Sequence, residues 1–188
     1  SRELKQESEK LPPQDPLIDP DEVLRRATIS DLLVRLTHEN YSDVRFMQTF
    51  LLTYRAYLSP QDLFAGLEER FNLPCPAEIQ ADNDLYNLWQ STRQKTVRLR
   101  ALNTLRNWVE SHGVDFQHAD AQFLKQVQAF LSRSEIQQEK LLATISEKIS
   151  VELEKAAANR DRELMSQTLR SDLMPKVQQL NESGLFAV

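Results

Sequence analysis

Glycine is nearly absent, with only Gly66, Gly113 and Gly184 in 188 residues. Left-handed turns, two-residue hairpins and phosphate-cradling loops all draw on glycine, so hairpin-rich sheets and nucleotide loops have little raw material here. Cysteine is scarcer still. Cys75 is the single one, which excludes an internal disulfide and fits a reducing, cytosolic setting. No basic segment followed by an apolar one reads as a signal peptide. No apolar run approaches the roughly 20 residues that cross a bilayer, so direct membrane insertion is not expected. An excess of positive charge is missing too: the formal net charge is −5, against the basic footprint that nucleic-acid binding requires.

The residues of catalysis are equally thin. His38, His112 and His118 are separated from one another and from Cys75, and neither a paired-cysteine nor a His-Glu-x-x-His zinc spacing occurs. Cys75 sits between Pro74 and Pro76, where it reads as an incidental thiol in a turn. Carboxylates such as Glu147, Glu152 and Glu154 alternate with Lys148 and Lys155, the pattern of a solvated helix face rather than an acid/base pair. No nucleophile, metal set or phosphate loop stands out. The chain is therefore read as non-enzymatic and without a cofactor.

What is present is helical periodicity, and the expected fold class is all-α: an irregular helical bundle with a C-terminal helical hairpin extension. Residues 1–20 carry Pro12, Pro13, Pro16 and Pro20 and read as a flexible or surface-draped arm. Residues 21–133 form the expected core. Thr28 and Asp31 have capping-box spacing ahead of the stripe Ile29, Leu32, Leu33 and Leu36. A second helix, from about Ser42 to Tyr57, carries Val44, Met47, Leu51 and Tyr54 beside Phe46 and Phe50, a breadth that places it at the bundle's centre. Ser59-Pro60 opens a third through Leu63, Phe64, Leu67 and Phe71. Residues 77–95 are the least periodic, with Leu85, Leu88 and Trp89 suggesting a short helix. Val97 to His112 forms another core helix, with Gly113 placed for a left-handed end, and Asp120 caps the next. Residues 134–188 are expected to form the hairpin and a linker. Ser134 and Gln137 open a long helix with the stripe Leu142, Ile145, Ile149, Leu153 and Ala156; its partner is residues 161–180, through Met165, Leu169, Leu173 and Val177, kinked at Pro175.

One stretch departs from the acidic average. Between Leu85 and Val109 no acidic residue occurs, while Arg93, Lys95, Arg98, Arg100 and Arg106 do. Two readings stand: a docking surface for an acidic partner, or arginines paired with acids of neighbouring helices such as Glu68 and Glu69.

A family resemblance enters with particular strings. Ala27-Thr28 leads into Leu32-Leu33 and Leu36-Thr37, followed by Thr49-Phe50-Leu51-Leu52-Thr53-Tyr54-Arg55 and Leu67-Glu68-Glu69-Arg70-Phe71. Then come Leu99-Arg100-Ala101-Leu102-Asn103, Arg106-Asn107-Trp108-Val109-Glu110, Asp115-Phe116, and Phe123-Leu124 through Phe130-Leu131. In this order they resemble the Ras exchanger motif, the N-terminal domain of Ras-family guanine-nucleotide exchange factors, and within it the Son of sevenless branch. The likeness covers roughly residues 24–155. It departs at Arg26-Ala27-Thr28, where many members have Ala-Gly-Thr, and at Gly113-Val114, where many have an aromatic pair.

The resemblance implies a non-catalytic regulatory module whose partners are the catalytic exchange domain of the same protein and a Ras-family small GTPase. Such a module packs against the catalytic domain's helical hairpin and biases its conformation. It also implies a linker toward a catalytic domain that this sequence lacks, and a cytoplasmic setting with membrane recruitment left to other domains or to the GTPase. In the Son of sevenless branch the module helps form a second GTPase site. The matching positions are Leu99 and Arg100, with Leu141 standing, by an ungapped count from Phe116, where that branch has a tryptophan. The competing reading is a stand-alone helical adaptor or dimerisation module built on the 134–180 hairpin.

Overall fold

The computed structural model describes residues 11, 12, 14–16 and 27–182, with side chains up to residue 178. Among them every regular element is helical, as expected. In chain order these are α1 (Ile29–Thr37), α2 (Val44–Thr53) with a 3-10 turn (Tyr54–Ala56), α3 (Pro60–Phe71), α4 (Ala77–Gln80) and α5 (Asn83–Trp89). A π-helical turn (Gln90–Gln94) then leads into α6 (Lys95–Ser111), followed by α7 (Val114–Gln117), α8 (Ala121–Leu131), α9 (Ser134–Gln137) and α10 (Lys140–Glu182).

Local chemistry fixes half of the starts. Thr28 and Asp31 form a reciprocal capping box at α1, and Ser59 and Asp62 form another at α3 with Pro60 at the first helical position. Asp43, Asp82 and Asp120 cap α2, α5 and α8 by accepting from backbone N–H groups two or three residues on.

The centre of the bundle is α6, packed by α1, α3 and α10. Val97, Ala101, Leu102, Leu105, Trp108 and Val109 are all buried on it. The apolar breadth of α2 made it the expected centre, yet Val44 is 60% and Leu52 69% exposed, and only Phe50 and Leu51 of that helix are buried. The reason is that α6 carries inward polar groups that bond its own helix or its neighbours, Thr104 and Arg98 among them. Thr104 Oγ1 donates to the Arg100 carbonyl at 2.9 Å, and Arg98 lies over the Phe71 ring with its Nε donating to the Phe71 carbonyl. A helix can thus look amphipathic in sequence and still be enclosed.

Three local expectations are corrected. Gly113 has φ −51° and is right-handed, because the chain turns directly into α7 instead of ending in a left-handed cap. Ser134 opens only the short α9, whose N-cap is Arg133. Ile136 is fully buried there, and the Gln137 amide donates to the Leu131 carbonyl and to Ser146, which separates α9 from α10. The third correction is larger: no C-terminal hairpin forms. Residues 140–182 are one helix of 43 residues, about 65 Å long. The segment Ala156-Ala157-Ala158-Asn159-Arg160 contains strong helix formers and neither glycine nor proline, so nothing there makes a turn. The helix also continues through Pro175, where one backbone bond is lost and the ring crowds the Ser171 carbonyl.

The stripe Leu142, Ile145, Ile149, Leu153 and Ala156 is buried as expected, but in the main core, where α10 packs on α6 and α7. A second, smaller cluster joins Leu11, Leu73, Ile79, Trp89 and Val97. Of the arm expected to be flexible or surface-draped, the described part lies against the body: Leu11 is buried in this satellite cluster, and Gln14 and Asp15 are partly buried. The rest of residues 1–20 lies outside the described residues.

Candidate functional site

The motif residues converge on Asp115. Its Oδ2 accepts from the Tyr54 hydroxyl and, at 2.7 Å, from Trp108 Nε1; its Oδ1 accepts from Arg55 Nε at 2.8 Å and Nη2 at 2.7 Å. Tyr54 and Trp108 are fully buried and meet edge-to-face, and Trp108 packs the same way on Phe116. The Thr-Tyr-Arg end of the α2 string, the tryptophan of α6 and the Asp-Phe of α7 are therefore one assembly, bringing three chain segments to one carboxylate. The sequence string names these residues; only the fold shows that they meet.

Burial, reinforced by the hydrogen bond to Asp115 and its charge, holds the Tyr54 phenol well above its ordinary value of 10.0. A group with a raised folded pKa contributes stability that is complete below its unfolded pKa and is lost as pH rises past it. The expected result is a melting temperature that falls steeply above about pH 10. A Tyr54→Phe chain, less stable at neutral pH, shows a shallower alkaline decline in the same pH series of thermal melts.

The basic stretch of α5–α6 is engaged internally. Arg93 pairs with Glu39 at 2.6 Å, Lys95 with Glu139 at 2.8 Å and Arg106 with Glu110 at 3.6 Å. The expected acids of neighbouring helices are not the partners: Glu39 and Glu139 lie in loops, Glu110 shares α6 with Arg106, and Glu68 pairs with Arg133. Arg100 donates from Nη1 to the carbonyls of His38 and Tyr41, tying α6 to the loop after α1. Burial pulls its guanidinium below the ordinary value, opposed by the charge of Glu39.

The expected GTPase-contact positions differ in placement. Leu99 packs, partly buried, against the main core, and Arg100 next to it is turned to the 38–41 loop. Leu141, in the first turn of α10, is 49% exposed. The Lys95–Glu139 pair joins the N-terminal end of α6 to the approach of α10, which puts Leu99 and Leu141 on neighbouring elements.

A surface that the sequence assigned to an internal hairpin is instead open. Every residue from 161 to 178 is exposed, so the second half of α10 projects from the body. Met165, Leu169, Leu173 and Val177, four residues apart, share one side of it and are 47–66% exposed; Leu164 and Met174 flank them. The link that holds its base is Gln117 Nε2, donating to Glu163 at 2.7 Å. Among the described residues no helix is long and apolar enough to cross a membrane.

Comparison with known proteins places these features in a family. The RasGEF N-terminal motif matches residues 23–130. Protein son of sevenless of Drosophila melanogaster is 34% identical over 131 residues, covering 58% of this chain and 8% of that protein. The Son of sevenless homolog of Caenorhabditis elegans is 31% identical over 140 residues, 59% of this chain and 9% of that protein. Ras guanine nucleotide exchange factor A of Dictyostelium discoideum is 24% identical over 157 residues, 83% of this chain and 24% of that protein. The chain thus corresponds to less than a quarter of each of these relatives. Its fold is all-helical and its motif residues form the Asp115 assembly; the chain belongs to the RasGEF N-terminal motif family.

Proposed function

We propose that this chain is the regulatory, non-catalytic part of a Ras-family guanine-nucleotide exchange factor, and that it holds the catalytic domain of the same protein in its productive conformation. The observation that carries this reading is the open apolar stripe on the second half of α10, in a chain that matches the N-terminal motif of exchange factors. A rigid helix anchored in the main core and apolar beyond it is suited to fix one domain against another. Residues 134–188 then serve as bridge and linker to the catalytic half. The module contributes a conformational bias and no reacting group.

Titrating the chain into the isolated catalytic domain by calorimetry tests the pairing: saturable binding is expected, and no heat or mass change at tens of micromolar contradicts it. Sedimentation of the chain alone separates this from the adaptor reading, which the same stripe supports if the mass doubles with concentration.

We further propose Leu99, Arg100 and Leu141 as contacts for a GTP-loaded Ras-family GTPase. Because Arg100 also ties α6 to the 38–41 loop, Arg100→Glu is compared with Leu141→Glu, whose side chain is exposed. Both should weaken GTPase binding by roughly tenfold or more, while only Arg100→Glu lowers the melting temperature. Unchanged binding by Leu141→Glu removes that residue from the contact.

A further inference from the structure

The short strap of residues 11, 12 and 14–16 is held as a bound peptide is held, not as an element of the bundle. It forms no helix and pairs with no strand. Leu11 is 5% exposed and enters the satellite cluster beside Trp89. Trp89 Nε1 donates to Gln14 Oε1 at 3.1 Å, and Gln14 Nε2 donates on to the Pro74 carbonyl at 2.8 Å. Arg93 Nη1 donates to the Pro12 carbonyl at 2.8 Å, and His38 Nε2 lies 3.0 Å from the Pro16 carbonyl. The arrangement combines one apolar anchor, carbonyls read by buried side chains, and a charged pair.

The charged pair is the decisive feature. Arg70 is 8% exposed, and its guanidinium grips Asp15 bidentately, Nη1 at 2.9 Å from Oδ1 and Nη2 at 2.5 Å from Oδ2, while Nε donates to Thr37 Oγ1 at 2.8 Å. Among the described residues Asp15 is the carboxylate that pairs with it. A buried arginine whose acid comes from an extended segment outside the bundle is a receptor for a carboxylate. Leu11 itself packs in the satellite cluster, with Trp89 and with Val97 of α6, and not in the main cluster that α1, α3, α6 and α10 share.

We propose that the groove formed by Trp89, Arg93 and Arg70 is a recognition site for an extended, acidic, proline-containing peptide, and that the strap is its exchangeable in-chain ligand. Release of the strap bares Leu73, Trp89 and a buried guanidinium without opening the main core, so occupancy of this groove is a switchable state of the module. A tethered ligand acts at an effective concentration in the millimolar range, so a competing peptide displaces it poorly unless the strap is weakened first.

The test uses a fluorescein-labelled synthetic peptide of residues 8–18, with fluorescence anisotropy against the full chain and against a full chain carrying Leu11→Asp and Asp15→Arg. The peptide should bind the double variant at least about tenfold more tightly than the wild-type chain. A peptide carrying Asp15→Asn should bind that variant roughly 10- to 100-fold more weakly. A folded double variant that ignores the peptide, or binds both peptides alike, overturns the proposal. A double variant that loses its cooperative thermal transition overturns it too, since the strap would then be integral to the fold. The milder Asp15→Asn full chain should fold and show intermediate peptide affinity.

Discussion

Replacing Asp115 with alanine is expected to destabilise the chain by about 3–4 kcal/mol. Two of its donors, the Tyr54 hydroxyl and the Trp108 indole N–H, belong to fully buried residues, and the carboxylate that satisfies both is itself only 8% exposed. Each donor left without an acceptor costs about 1–3 kcal/mol. Arg55 contributes less, because it is 42% exposed and rehydrates. For a chain of this size 1 kcal/mol corresponds to about 2–4 °C, so the melting temperature should fall by about 6–16 °C. Asp115→Asn retains an acceptor oxygen and should lose less. Leu52→Ala, in the same motif string but 69% exposed, should stay within about 0.5 kcal/mol of the parent. A thermal melt of Asp115→Ala within about 1 kcal/mol of wild type would show that the assembly is not what holds α2, α6 and α7 together.

The second large effect is functional and leaves stability untouched. A chain carrying Leu169→Glu and Leu173→Glu should melt within about 1 kcal/mol of wild type, since both side chains are more than half exposed and glutamate is a good helix former. Its affinity for the catalytic domain should drop at least about 100-fold, because each carboxylate would enter an apolar interface without a partner. Calorimetry beside circular dichroism separates the two readouts. Equal binding by the double variant would move the interface off the end of α10.

What could be read from the chain without its fold follows a physical division. Short-range chemistry was legible: Thr28 with Asp31, and Ser59 with Pro60, announce helix starts because both partners lie within one turn. The all-helical class follows from scarce glycine and sustained periodicity. Position within the bundle was not legible. Apolar breadth pointed to α2, but Arg98, Arg100 and Thr104 satisfy their polar groups against neighbours or their own helix, and so let α6 be the enclosed one. The hairpin expectation failed for a related reason. Two apolar stripes on one helix can face different partners, and the stretch around Ala156–Ala158 offers no breaker to fold one stripe onto the other. The strap's anchoring is legible only in the fold, since Asp15 meets Arg70 across 55 residues. Of the proposed contact residues, Leu141 stands open, while Arg100 has a structural task that composition alone cannot reveal.

The most direct test of the central claim is the rate of nucleotide release from a panel of Ras-family GTPases, measured with this chain alone, with the catalytic domain of the same protein alone, and with the two joined. The chain alone should release no nucleotide, the catalytic domain alone should release it slowly, and the joined protein should act at least about tenfold faster on one or more GTPases. Equal rates with and without the chain, or release by the chain alone, would contradict the claim.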